Sequence, residues 1–437
     1  MNSVANTVIT NSSGVTLTFE DNITIPGDST VINGSTIYTL AQSSSVIQST
    51  AGSNITVDNV ITGAGNALTY LGGGNSGTTG ATLELGAGSS NDVSGAYAPN
   101  VPHTFGNGAP FTSSASVHSS DQNGFTGGLT IGDTNGTANA GVVKIDGANA
   151  LPASGAVTVN PNSQLLLNGN ATYGGSSQNL TLNGTGTPAT GGALALTTGD
   201  NSTWNGNITV ASASSINVQG AAGSLAVSGT LSGSSVLETA GAGTLTLNGN
   251  STAFSGGVDV NSGSLVGGNS GALGTGPVAV AGGTLSASGT LSEIGALSLS
   301  TGVIALNQST FDLSSGQNFT MSGGTLDLTD VSGSVGAITS DGGGSSFSIS
   351  SGILDLGGNT WNYSNTYDIL AGFGTGSISG LTVTDYDTTD YTANVSNAGV
   401  LSFTSVPEPS TWATMLAGLA SLALFQFRRM RGGFRKA

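Results

Sequence analysis

Gly243-Thr-Leu-Thr-Leu-Asn-Gly249, with Phe254-Ser-Gly-Gly-Val-Asp-Val260 close behind it, is the stretch whose reading decides the architecture. In Thr244-Leu245-Thr246-Leu247 the apolar residues recur at every second position, so an extended chain turns them all to one face. Asn248-Gly249 then ends the strand, because Asn and Gly tolerate the backbone angles of tight turns. The same vocabulary recurs elsewhere. Leu-Asn-Gly endings stand at 167–169 and 182–184. Phe254-Ser-Gly-Gly-Val-Asp-Val260 aligns with Phe125-Thr-Gly-Gly-Leu-Thr-Ile131, Ser270-Gly-Ala-Leu-Gly274 with Ala148-Asn-Ala-Leu-Pro152, and Gly276-Pro-Val-Ala-Val280 with Gly155-Ala-Val-Thr-Val159. The order is the same in both copies, and residues near Asp133 to Asn139 read as an extra loop in the first. Short strands with a turn at each end suit a sandwich, a barrel or a solenoid, and ordered internal repeats favour the solenoid. Asn-Gly occurs eight times in all, for example at Asn33, Asn168, Asn183, Asn205 and Asn248.

The wider composition agrees. The chain has 437 residues, of which 72 are Gly, none is Cys and only 7% are charged. A Gly-, Ser- and Thr-rich text of this kind is either disordered or a β-repeat protein. The 37% of hydrophobic residues, gathered into alternating runs, decide for the repeat. Five of the six basic residues, Arg428, Arg429, Arg431, Arg435 and Lys436, lie in the last ten positions. Residues 1–405 hold Lys144 as their single base against every acid except Glu408. Nucleic-acid binding needs cations that displace counterions from phosphates, so this body excludes it. An acidic, Cys-free body suits an extracellular or periplasmic protein without disulfides.

The tail is a separate composition. Val406-Pro407-Glu408-Pro409-Ser410 precedes an uncharged run of 16 residues, Trp412 to Phe427, and then the basic cluster. As a helix this run is about 24 Å long, a little short of the ~30 Å hydrocarbon core of a bilayer. Arg428 and Arg429 can snorkel to close the gap. Pro409 suits a helix start and Trp412 an interfacial belt. The expectation is a membrane helix carrying Trp412, Leu416, Leu419, Leu422, Leu424 and Phe427, with the basic cluster cytoplasmic and residues 1–405 outside. The alternative is a buried terminal helix of a soluble domain.

Pro-Glu-Pro, apolar helix and Arg cluster, in that order, closely resemble the PEP-CTERM sorting signal of Gram-negative bacteria. The resemblance covers about 30 residues and attaches the sorting role to Pro407, Glu408 and Pro409. It implies an exosortase partner in the inner membrane that cleaves the tail and passes the protein outward, with a further association with exopolysaccharide and biofilm. Residues 241–290 closely resemble the autotransporter-associated β-strand repeat found in right-handed parallel β-helices, and 123–170 do so less closely. An exosortase substrate carries a signal peptide, whereas residues 1–30 show no basic and apolar leader. The expectation is therefore a true start upstream of Met1, since strand-like text begins at Val15-Thr-Leu-Thr-Phe19.

Little in the sequence points to chemistry. The histidines are His103 and His118, in a Gly-, Ser- and Pro-rich stretch that reads as loop. With Cys absent, no nucleophilic triad suggests itself, and a two-His metal pair would have only Asp121 nearby. A lyase for acidic polysaccharide needs cationic groups that Lys144 alone cannot supply. Glycoside hydrolysis needs just two carboxylates, yet Asp146, Asp259, Asp327 and most others stand isolated. Asp385-Tyr-Asp387-Thr-Thr-Asp390 resembles a calcium loop only faintly, because Asp390 and Ser396 stand where Gly and Glu belong. Seven aromatics, among them Trp361, Tyr363 and Phe403, crowd into 361–405 and read as an end cap or, alternatively, a sugar-stacking platform.

The expected protein is all-β: a right-handed parallel β-helix or solenoid followed by a single C-terminal hydrophobic helix. Residues 1–120 form N-terminal coils, 121–360 the repeat solenoid, 361–405 an aromatic-rich cap and 406–437 the sorting and anchor segment. The expected role is a structural or adhesin-like protein of the cell surface or extracellular matrix, with no cofactor and no catalytic or metal site. A glycan-active hydrolase on the same scaffold and a glycan-binding module are the alternatives.

Overall fold

The computed structural model describes residues 156–433 apart from 177, 187–190, 307, 329–336, 358–360 and 407–408, and before residue 156 little more than the backbone of individual strands. Most of the described chain is β-strand, and one helix, Pro409–Gly433, follows the last strand. Strand pairing is parallel except at the C-terminal end.

The chain visits three ladders in turn. Leu237–Gly241 pairs with Val258–Val260, the next strand on its own ladder, and Val258 stands opposite Val278, so one circuit here takes about twenty residues. On the second ladder Thr244–Leu247 lies between Ser224–Val227 and Ser264–Gly267. The third carries Leu180, Ile208 and Leu231 in register, then an isolated bridge from Gly233 to Phe254, and further on Leu291, Phe311, Ile338 and Leu370.

Parallel sheets covered on both faces read as unbroken apolar runs, whereas a sheet covered on one face alternates. These strands are parallel and yet alternate, because only their inner side is buried. The register places like on like. Leu225, Leu245, Leu265, Leu285, Ile304, Leu326 and Leu354 form one column, each above its counterpart a circuit earlier. Leu237, Val258, Val278, Leu297, Phe319 and Phe347 form another. All of them are buried in one continuous core. Each such side chain contributes roughly 1.5–3 kcal/mol on leaving water. On the outer side short polar residues bond from one circuit to the next: Thr209 with Ser232 at 3.1 Å, Ser224 to Asn201 at 2.6 Å, Ser346 to Asn318 at 2.9 Å.

The Asn-Gly pairs divide into two kinds. Gly169 and Gly184 have φ of 96° and 89°, the turn geometry that the sequence leads one to expect. Gly206 and Gly249 do not need positive φ; they are glycine because a Cβ would lie 1.9 Å from the Gln178 carbonyl oxygen and 2.1 Å from that of Gly229. Asn33 is the last residue of the strand Ser29–Asn33. Strands also run longer than the expected four to six residues where they continue through a corner, as in Ile208–Val218 and Val278–Ala287.

The two aligned copies do not fall on the same ladder: Leu129 pairs with Val157, which pairs in turn with Leu180 on the third ladder, whereas Val258 and Val278 stand on the first. Residues 133–139, read as an extra loop, lie outside the described residues. Phe254 and the corner residues Ala272 and Leu273 are buried.

At the C-terminal end the direction changes. Val400–Ser405 pairs antiparallel with both Tyr391–Val395 and Tyr367–Asp368. The turn of this hairpin covers the last parallel strands: Asn397 Oδ1 accepts from Ile378 N at 3.0 Å, and the Gly399 carbonyl from Ile369 N and Leu370 N. Leu265 lies inside the aliphatic column that runs from Leu225 to Leu354 and is fully buried, so Leu265→Ala should cost about 2–5 kcal/mol. Chemical denaturation of the purified variant checks this.

Candidate functional site

The strand Val400–Ser405 delivers the chain directly to the tail. Ser405 is still in register with Tyr391, and Val406 N donates to the Asp390 carbonyl at 2.8 Å. Pro407 and Glu408 lie outside the described residues. The helix begins at Pro409, where the missing N–H costs nothing because a first-turn amide has no intrahelical partner. It continues to Gly433 and so includes the backbone of Arg431, while Arg435 and Lys436 fall outside the described residues. Arg428 and Arg429 are exposed in its last turns, where a cation meets the negative end of the helix dipole.

The apolar side chains of this helix are bare. Trp412, Leu416, Leu419, Leu422, Leu424 and Phe427 are all exposed, Leu416 at 64% and Phe427 at 68%. Neither Leu416 nor Leu419 enters the core of the body, so the alternative of a packed terminal helix is excluded. A contiguous exposed apolar surface of this kind marks an interaction site.

The expectation of a membrane-spanning helix is corrected. Among the described residues no helix is long and apolar enough to cross a membrane. The reason lies in the sequence of the helix itself: Thr414, Gly418, Ser421 and Gln426 dilute the apolar run, and Arg428 and Arg429 close it after 16 uncharged residues.

The residues singled out for chemistry fall as follows. His103 and His118 are not in a loop: the backbone places them in the strands His103–Gly106 and Ser113–His118, each with a parallel neighbour on both sides. Alternation in Ser113-Ser-Ala-Ser-Val-His118 outweighs the surrounding Gly and Pro. Asp121 lies outside the described residues. The turn at Asp385 to Asp390 closes on itself, since Asp387 Oδ1 accepts from Thr389 N at 3.0 Å and from Asp390 N at 3.3 Å. Asp387 N in turn donates to the Tyr363 hydroxyl. Among the described residues no cluster of three or more His, Cys, Asp or Glu could hold a metal ion.

Register does bring carboxylates together in a way the linear text conceals. Glu238 stands beside Asp259, and Asp327 beside Asp355, on adjacent strands. The only available signal is that each acid follows the inward residue at the same point of its strand. Burial pushes the Asp259 carboxyl above its ordinary pKa.

The aromatics of 361–405 pack on one another. Trp361 is 8% exposed and its Nε1 donates to the Leu356 carbonyl at 3.0 Å. Tyr363 stacks on Tyr391 with ring centres 4.0 Å apart and planes 7° from parallel. Phe403 sits at the hub, 4.9 Å from Tyr363, 6.0 Å from Tyr386 and 6.1 Å from Trp361. Phe347 meets Phe373 edge-on at 5.5 Å, and Gly376 is glycine because a Cβ would strike the Phe347 ring.

Comparison with protein families assigns the tail. The model of the PEP-CTERM protein-sorting motif matches residues 405–431, so the chain carries that motif at its C-terminus. The match takes in Pro407, Glu408 and Pro409 and ends at Arg431. No curated protein and no solved structure matches the chain.

Two outcomes follow from this geometry. A chain ending at Val406 should keep the thermal transition of the full-length protein, because the helix side chains rest on nothing in the body; circular dichroism or calorimetry of both forms tests this. Asp259→Asn should raise the melting temperature at neutral pH. A carboxyl whose folded pKa is raised weakens the fold once ionised, so the gain is complete above the folded pKa and vanishes as the pH falls below the ordinary value of 3.8. Melting curves across that range provide the check.

Proposed function

We propose that this chain is an exported structural or adhesin-like protein of the cell surface or extracellular matrix, processed at its C-terminal motif by an exosortase. The observation that carries the reading is the sorting motif at 405–431, which starts on the last residue of the terminal strand and takes in most of the bare apolar helix. In this reading the tail is anchored at the inner membrane during sorting, its bare apolar side chains and the basic residues Arg428, Arg429, Arg431, Arg435 and Lys436 meeting the lipid surface, where anionic headgroups attract them. Pro407, Glu408 and Pro409 are the segment recognised by the protease.

The body is read as a closed, right-handed parallel β-solenoid of the autotransporter-repeat kind. Its three ladders and like-on-like columns support closure, and the strong preference of parallel crossover connections supports the hand. The aromatic cluster around Phe403 and the antiparallel hairpin serve as its C-terminal cap, because the last coil of a stack exposes core and unpaired edge.

The work of the body is contact rather than catalysis. Its outer faces present Ser, Thr and Asn in rows with one Lys in 405 residues, a surface suited to many weak hydrogen bonds with exopolysaccharide or matrix. The packed state of Trp361 and Tyr363 favours a cap over a sugar-stacking platform.

Mass spectrometry of the chain recovered from the surface and medium of its host tests the processing. The expected mature form lacks the helix and its basic end. Replacing Pro407, Glu408 and Pro409 together by Ala should leave the full-length chain in the membrane fraction. Surface material that retains Arg428 to Lys436 would overturn the reading.

A further inference from the structure

We infer that the end of the last strand belongs to the sorting signal: Thr404, Ser405 and Val406 must detach from the terminal hairpin before the Pro407-Glu408-Pro409 segment can enter a processing protease, and Phe403 marks where detachment stops. The inference rests on the proposed processing of the tail.

The geometry leaves no slack between fold and motif. The matched motif begins at residue 405, the last residue of the strand Val400–Ser405. Thr404 and Ser405 are in register with Thr392 and Tyr391, and the Val406 amide is bonded to the Asp390 carbonyl at 2.8 Å. The helix resumes at Pro409, so Pro407 and Glu408 alone separate two ordered elements. A peptide held in a groove as an extended strand offers its own amides and carbonyls to the groove over several residues. Backbone groups already paired within the hairpin cannot make that offer at the same time.

Side-chain packing divides the strand into a part that can leave and a part that cannot. Thr404, Ser405 and Val406 are exposed. Local opening there removes a few solvent-facing hydrogen bonds and no core contact, which puts it at the low end of the range of opening free energies. Phe403, the next residue inward, touches the rings of Trp361, Tyr363, Tyr367 and Tyr386. Opening past it would dismantle the aromatic cluster. Three detached residues together with Pro407 and Glu408 make an extended approach of useful length, while the body stays folded behind them.

The chain contains no cysteine, so one engineered pair has a single way to close. Thr392→Cys with Thr404→Cys places two thiols at register partners, within the separation a disulfide requires, and the compartment reached on export is oxidising. The full-length double variant is produced in the natural host, and the masses of the chains recovered with and without reductant are compared. The stapled chain should keep its tail, its processed fraction falling roughly tenfold or more, because cleavage tracks the open population. Each single-cysteine variant should be processed like the natural chain. The same staple with about six Gly and Ser residues inserted between Val406 and Pro407 should be processed again, since the insert supplies the extended approach that the hairpin withholds. Recovery of stapled chains lacking the tail at the natural level would overturn the inference, and so would failure of the insertion to restore processing. A natural chain that is never processed would instead remove the processing reading, and this inference with it.

Discussion

The structure depends on register. Each inward side chain lies directly over its counterpart one circuit earlier, so Leu245 rests on Leu225 and supports Leu265. A slip of one residue would turn every aliphatic side chain of a strand outward, since side chains alternate with period two. That makes parallel pairing with like-on-like stacking the one arrangement that buries these columns. The other features of the body follow from keeping successive circuits close and aligned. Gly206, Gly249 and Gly256 let backbone pass over backbone at the corners, where a Cβ would lie within 2.1 Å of a neighbouring carbonyl oxygen. Outward Ser, Thr and Asn bond from circuit to circuit with side chains too short to disturb the alignment.

A stack of this kind must be ended. In the interior each strand finds partners above and below, but the last has a free edge. Here the chain reverses into an antiparallel hairpin whose turn residues, Asn397 and Gly399, accept hydrogen bonds from the final parallel strands. Bulk replaces the small residues of the coils at the same point. Trp361, Tyr367 and Phe403 meet at angles between 49° and 90° and fill the space over the last aliphatic rungs.

The tail stands apart energetically. A body that buries most of its described aliphatic residues is joined to a helix whose described Leu and Phe side chains are all exposed. Such a helix contributes nothing to the fold behind it, and its apolar surface is available to something other than this chain. The sorting motif found at the same residues supplies the reason for that separation: a signal that is to be handled by other machinery cannot also be part of the core.

Much of this was legible in residues 243–280. Alternation in Thr244-Leu-Thr-Leu247 determined strand and inward face, the ordered repeats pointed to stacked circuits, and Pro407-Glu408-Pro409 with the run to Phe427 and its basic end marked the tail, because each of these is a local pattern. What stayed hidden was long-range. His103 and His118 took strand conformation because neighbours 26 residues or more away supplied pairing that local Gly and Pro argue against. Glu238 met Asp259, and Gly206 proved to be a site of close approach, only once one circuit was laid on the next. The sequence determines which side of a strand faces inward; which residue lies above which depends on the length of every loop in between, and that is settled only when the hydrogen bonds of the ladders close.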